Sequence, residues 1–177
     1  MMERTIDRVI VQCIIEDIAG QQNIEAVVNA ANAELKRGGG VAGAIHRGAG
    51  PKLEKATREL APISPGDAVI TAAYNLPNDY VIHCLGPVYG KDKPQKKLLG
   101  DCYRKALKIA EENGIQSIAF PAISTGAFGY PMEEAKKVAF STIKEVIPTL
   151  RSVKVIRFVL HNREDYQVYE GALENLN

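Results

Sequence analysis

Ala26-Val27-Val28-Asn29-Ala30-Ala31-Asn32, followed by Gly38-Gly39-Gly40-Val41-Ala42-Gly43-Ala44-Ile45-His46, is the stretch on which the fold turns. The apolar triplet Ala26 to Val28 has the length and β-branching of a short buried strand, and it stops at the polar Asn29. Three consecutive glycines lose much conformational freedom on folding, so they belong where backbone must come very close to something. They stand before a helix, whose first N–H groups have no partner inside the helix. Those N–H groups and the positive end of the helix dipole can together make an anion site, beside the plainer reading of a flexible loop that holds no ligand. The unit is therefore strand, loop and helix, with the chemistry at the carboxyl end of the strand.

The same alternation continues along the chain. Val9 to Ile15 reads as a strand, as do Ala68 to Tyr74 and Tyr80 to Leu85 around a turn at Pro77-Asn78-Asp79. Pro51 to Leu60 reads as a helix with Leu53, Ala56 and Leu60 on one face. Lys96 to Asn113 is the clearest helix, with an apolar stripe of Leu98, Cys102, Ala106, Ile109 and Ala110 and Gly114 to end it. Ile118 to Phe120 is a strand. Pro131 opens a helix whose inner face is Met132, Ala135, Ala139, Ile143 and Val146. Val153 to Leu160 is β-rich, and a last helix begins near Glu164 with Tyr169, Ala172, Leu173 and Leu176 inward. Strands separated by helices imply an α/β fold with a mainly parallel sheet covered on both sides. Ligands bind such sheets beyond the carboxyl ends of the strands, here after Val28, Phe120 and Leu160.

The chain has 177 residues, and 22 Lys and Arg stand against 21 Asp and Glu. One domain over residues 1–177 is expected. The balance gives no overall pull toward nucleic acid or membrane, so an anion must be held by local geometry. Lys91-Asp92-Lys93-Pro94-Gln95-Lys96-Lys97 reads as a solvated loop and helix start. Cys13, Cys84 and Cys102 form no CxxC pair and read as buried free thiols of a reducing compartment. No apolar run reaches membrane-spanning length, and the N-terminus is too polar for a signal peptide. A cytoplasmic monomer is expected. The histidines and cysteines lack ligand spacing, so neither a metal nor a cofactor is expected.

A second glycine loop, Phe120-Pro121-Ala122-Ile123-Ser124-Thr125-Gly126-Ala127-Phe128-Gly129-Tyr130-Pro131, again joins strand to helix. Its amides from Thr125 to Phe128 can wrap a second phosphate. Phe128 either covers a ligand sugar or packs over the loop. Two such loops beside one sheet suggest a pyrophosphate held from both sides. Gly38, Gly40 and Gly43 also satisfy GxGxxG. The dinucleotide fingerprint should follow its strand directly, however, and here the loop intervenes.

These two loops and the Val27 to Asn32 segment resemble the macrodomain family, over nearly the whole chain from Asp17 to the final helix. The resemblance implies a three-layer α/β/α sandwich with a mixed, mostly parallel sheet of about six strands, and ADP-ribose as ligand. It places Asp17 at the adenine amino group with Ile18 beside it. Asn32 would hold the distal ribose, and Gly39, Gly40 and Val41 would surround that ribose and the phosphates. Ser124, Thr125, Gly126, Ala127, Phe128 and Gly129 would form the diphosphate loop, with Phe128 against the distal ribose. His161 and Asn162 would lie near the adenine. Plainer readings stand beside these: a turn or helix cap for Asp17, a local turn for Asn32, surface loop for His161 and Asn162.

The family contains hydrolases and readers. One subgroup carries GGGVDG with a catalytic aspartate, and Ala42 stands at that position here. A methyl group cannot orient or deprotonate water. GGGVAGA also resembles viral macrodomains that include ADP-ribosyl hydrolases with the same alanine. A substrate-assisted route is then expected, in which Asn32 and the glycine loop fix the sugar and Phe128 limits its motion. His46, one helical turn beyond Ala42, either assists proton transfer or is a structural histidine. The expected partners are ADP-ribose, ADP-ribosylated proteins and O-acetyl-ADP-ribose, with removal of ADP-ribose from acidic side chains or deacetylation as the reaction. A non-catalytic ADP-ribose reader is the alternative.

Overall fold

The computed structural model describes all of residues 1–177. Seven strands form one sheet: β1 (Met2–Ile6), β2 (Val9–Ile15), β3 (Ala26–Ala30), β4 (Ala68–Ala72), β5 (Tyr80–Cys84), β6 (Ser117–Phe120) and β7 (Val155–Leu160). Their spatial order is β1-β2-β7-β6-β3-β5-β4. The inner pairs β2–β7, β7–β6, β6–β3 and β3–β5 are parallel, while β1 and β4 join antiparallel at the edges. The sheet is thus mixed and mostly parallel, with one strand beyond the expected six. The extra strand is β1, whose side chains alternate between half-buried and exposed. Met-Glu-Arg-Thr-Ile has the period of a one-sided edge strand but too few apolar residues to announce it.

The five helices are α1 (Gly40–Ala49), α2 (Pro51–Arg58), α3 (Gln95–Glu112), α4 (Met132–Val146) and α5 (Arg163–Glu174). On one face, Ile45, Ala49 and Leu53 of α1 and α2 pack on Val27, Val81, Ala119 and Val159. On the other, α3, α4 and α5 cover Val28, Ile82, Ile118 and Ile156. Alternate residues of each strand serve opposite layers because the side-chain period of a strand is two. The larger layer is tied by Tyr103, Phe120, Phe158, Phe140 and Tyr169, with ring centroids from 4.9 Å (Phe140–Phe158) to 6.3 Å (Tyr103–Phe158). These rings come from α3, β6, β7, α4 and α5, so one cluster holds three helices to two strands. Burying each such ring contributes about 1.5–3 kcal/mol.

Several helix faces differ from the sequence expectation. The buried row of α3 is Leu99, Cys102, Tyr103, Ala106, Leu107 and Ala110, whereas Leu98 and Ile109 are half-buried. Leu99, Tyr103 and Leu107 form an i, i+4 ridge that fills more volume than Leu98 and Ile109 can. In α4, Val138, Phe140 and Thr142 join the inner face, while Met132 and Val146 sit half-buried at its ends. Helix α2 stops at Arg58 and leaves Leu60 exposed. Thr57 takes the inner position, its hydroxyl donating to the Leu35 carbonyl at 2.8 Å. The three cysteines are free and buried, and burial pushes the Cys13 thiol up to about 12. No helix is long and apolar enough to cross a membrane.

Candidate ligand site at the carboxyl edge of the sheet

The two glycine loops follow β3 and β6, which are adjacent and parallel. Both therefore emerge at the same edge of the sheet. Gly38, Gly39 and Gly40 are exposed. Helix α1 has no side-chain cap, and its first internal bond runs from the Gly43 amide to the Gly39 carbonyl at 3.2 Å. The amides of Gly39, Gly40, Val41 and Ala42 consequently donate to no protein acceptor. Gly40 has φ +53, a conformation that side-chain-bearing residues adopt at a cost. In the second loop the Gly129 amide closes a turn onto Gly126 at 3.0 Å, and the Tyr130 amide reaches the Ser124 carbonyl at 2.9 Å. The amides of Gly126, Ala127 and Phe128 between them have no protein acceptor. Two rows of free donors at one sheet edge are suited to an anion carrying several oxygens.

Each remaining site residue can be placed. Asp17 is exposed and caps a short 3-10 turn, Ile18–Gly20, with Oδ1 accepting from the Ala19 amide at 2.9 Å. Ile18 is buried. Asn32 clamps its own loop: Oδ1 accepts from the Lys36 amide at 3.0 Å, and Nδ2 donates to the Lys36 carbonyl at 2.8 Å. Thr125 holds its turn by donating to the Ala122 carbonyl at 2.7 Å. Phe128 is half-buried on a small cluster of Ala31, Leu35, Ile63 and Leu85, which joins the two loops. His161 and Asn162 are exposed at the end of β7. Both polar atoms of the Asn162 side chain are engaged with Asp165, capping α5 at 2.8 and 2.9 Å.

Ser124 differs from its neighbours. It has φ +68, is buried, and its Oγ meets no hydrogen-bond partner. It packs onto Gly86, just after β5, where an added Cβ would lie 2.1 Å from Ser124 Oγ and 2.7 Å from Ile123 Cγ2. The Gly86-Pro87-Val88-Tyr89 segment thus forms a third wall, and the Tyr89 amide donates to the Phe128 carbonyl at 2.9 Å. Sequence reasoning missed this wall, although a Gly-Pro pair directly after a strand is a recognisable turn signal.

Beneath α1 lies a buried polar chain. Asn29 Nδ2 sits 3.1 Å from His83 Nδ1, and Thr71 Oγ1 lies 2.9 Å from His83 Nε2. Because the Asn29 amide can only donate there, His83 carries its proton on Nε2 and donates it to Thr71. Burial pushes the His83 imidazole down to about 3. His46 is 5% exposed and Ala42 also 5%, so the face they share turns toward the sheet. His46 Nε2 and Asn29 Oδ1 have no hydrogen-bond partner. Burial lowers the His46 pKa as well, which leaves the ring neutral near pH 7.

A family model described as the Macro domain matches residues 28–139, which contain both glycine loops. The chain belongs to the macro domain family. Among macro domain relatives, the O-acetyl-ADP-ribose deacetylase of Citrobacter rodentium is 47% identical over 155 residues, covering 85% of this chain and 88% of that protein. The solved Oceanobacillus iheyensis macrodomain with ADP matches at TM-score 0.94 and 36% identity, covering 99% of this chain and 95% of that one. The Trypanosoma brucei macrodomain in complex with ADP-ribose matches at TM-score 0.86 and 34% identity, covering 92% and 68%. The fold of this macro domain is that of those structures.

Proposed function

We propose that this macro domain binds ADP-ribose along the carboxyl edge of its sheet and hydrolyses it from modified acidic side chains or removes acetate from O-acetyl-ADP-ribose. The observation that carries the reading is the pair of free-amide rows after β3 and β6. A diphosphate lies between Gly39–Val41 and Ser124–Gly129. Its oxygens receive charge-assisted hydrogen bonds from donors that are already oriented. Asp17 accepts from the adenine amino group through the carboxylate oxygen that does not cap the 3-10 turn, and the Ile18 amide, which has no protein acceptor, lies beside the base. Asn162, whose side chain caps α5, contributes through its backbone. Asn32 holds the distal ribose, with the lone pair and N–H that Lys36 leaves free, and Phe128 closes over the sugar.

Ala42 supplies no base, and neutral His46 faces the sheet, so the reaction is substrate-assisted. A water held between a phosphate oxygen and the distal ribose attacks the anomeric carbon. The bond from that carbon to the carboxyl oxygen breaks, the carboxylate leaves with its electron pair, and the water proton passes to phosphate. His46 then serves by shaping the underside of α1, and its catalytic part is that of a positioning residue. Positioning of water and sugar supplies the rate. Ala42 equally favours a second reading, a reader that binds without turnover. A protein mono-ADP-ribosylated on Glu or Asp separates them: label released with saturable kinetics, and slowed by Asn32→Ala, supports the hydrolase. Binding with no release supports the reader.

A further inference from the structure

We propose that the mouth of this site is a basic rim that engages an acidic polypeptide segment flanking the ADP-ribosylated side chain. This rests on the ADP-ribose reading above and adds to it the class of partner. The rim has two sides. On one, Asn32 pins the backbone of Lys36 with two hydrogen bonds, so Lys36 and Arg37 project next to the residue assigned to the distal ribose. On the other, the Tyr89 amide bonds the Phe128 carbonyl at 2.9 Å. The segment that follows is fixed by its own contacts: Val88 donates to Asp92 Oδ2 at 2.8 Å, and Gly90 donates to Gln95 Oε1 at 2.9 Å. Lys91, Lys93 and Lys96 extend from it. Phe128 and Leu35 share one apolar cluster, which brings the two sides together around the sugar end of the groove.

The charges are free to act. Lys36, Arg37, Lys91, Lys93 and Lys96 are exposed and form no ion pair, whereas Lys97 is paired with Asp101 at 2.8 Å. The carboxylates nearby are Glu34 and Glu54, which line one groove with Lys36, Asp92, which is occupied with the Val88 amide, and Glu134. The chain as a whole carries only +1, so this excess is local. It also opposes the stability of α3. Lys96 and Lys97 occupy the first turn, with no acidic residue and no side-chain cap, at the end where the helix dipole is positive. Lys97 is answered by Asp101 one turn on, and Lys96 faces the dipole without a partner. The rim flanks the point where a modified side chain leaves the distal ribose. A polypeptide fits better than a nucleic acid. The total charge is near neutral, so the broad phosphate-binding surface of a nucleic-acid binder is not supplied.

The test uses peptides carrying ADP-ribose on a hydrolysis-resistant linkage, one with Glu and Asp flanks and one with Ser and Gly flanks. They are titrated against the parent and the Lys91→Glu/Lys93→Glu/Lys96→Glu variant. The parent is expected to bind the acidic peptide about tenfold more tightly at about 0.05 M salt, with the preference fading near about 0.5 M. The variant should lose or reverse the preference yet bind free ADP-ribose like the parent, and Lys108→Glu/Lys144→Glu should behave as the parent. Equal binding of both peptides by a parent that binds free ADP-ribose would overturn the rim alone. Failure of the parent to bind free ADP-ribose would overturn the ligand reading beneath it. Tighter binding of a single-stranded DNA with ADP-ribose on its terminal phosphate would overturn the choice of polypeptide.

Discussion

Replacing Gly86 by alanine should cost this macro domain its ligand before it costs the fold. The new Cβ would lie 2.1 Å from Ser124 Oγ and 2.7 Å from Ile123 Cγ2, with Ser124 Cβ at 3.3 Å. Non-bonded carbon and oxygen need more than 3 Å, so Ser124 and Ile123, and with them the second glycine loop, must shift by about 1 Å. Overpacking of this kind destabilises by about 1–3 kcal/mol. The same shift misaligns the Gly126, Ala127 and Phe128 amides. Each charge-assisted bond contributes about 1.5–3 kcal/mol, so losing alignment of even one weakens ADP-ribose by roughly 10- to 150-fold. Calorimetric titration gives the affinity, and urea unfolding gives the stability. Adding Ser124→Gly removes the shortest contact and suits the φ of +68 at that position. The double variant should therefore recover much of the binding, a coupling between neighbours that independent sites would not show. Parent-like affinity in Gly86→Ala would refute the claim that this contact sets the loop.

Gly40→Glu should remain folded, because a Cβ there meets nothing within 4 Å, although its φ of +53 adds about 1–2 kcal/mol of strain. Its carboxylate would stand at the phosphates and abolish ADP-ribose binding, read by calorimetry beside an unchanged circular dichroism spectrum; normal binding would remove this loop from the site. Stability should also fall on acidification. His83 stays neutral in the fold down to about pH 3, while its ordinary value is 6.5. The unfolded chain therefore binds the extra proton between those values, and the stabilisation present above about pH 6.5 is lost as pH falls toward 3. From about pH 6 to pH 4 the loss from this residue is roughly 2–3 kcal/mol. Urea unfolding of the parent and of His83→Gln at both pH values isolates it, since the variant should lose less over the same interval. An identical pH dependence in the two proteins would contradict the assignment.

Much of this architecture was legible in the sequence because it follows from local rules. The strand β2 coincides with the β-branched run Val9 to Ile15, and α1 begins where the glycines end. What was not legible depends on tertiary neighbours. Strand β1 is polar on its open side and becomes a strand only by pairing with β2. The face of α3 is chosen by which large residues fill the space over β6, and periodicity alone admits Leu98 as readily as Leu99. The wall at Gly86 could be seen only once Ser124 stood against it, and these positions are 38 apart in the chain. The amides at residues 39–42 and 126–128 have no protein acceptor, as the reading of both loops as backbone donors requires. That Asn32 and Asn162 also spend their side chains on Lys36 and on Asp165 required the structure.

We propose that the free amides and Asp17 at the carboxyl edge of the sheet form one ADP-ribose site. Calorimetric titration of ADP-ribose into the parent and into Asp17→Ala tests it most directly. Saturable one-to-one binding by the parent and a loss of about tenfold or more in the variant, beyond the modest destabilisation from the lost turn cap, are expected. Equal affinity in the two proteins would take Asp17 out of the site, and no heat of binding in the parent would contradict the account as a whole.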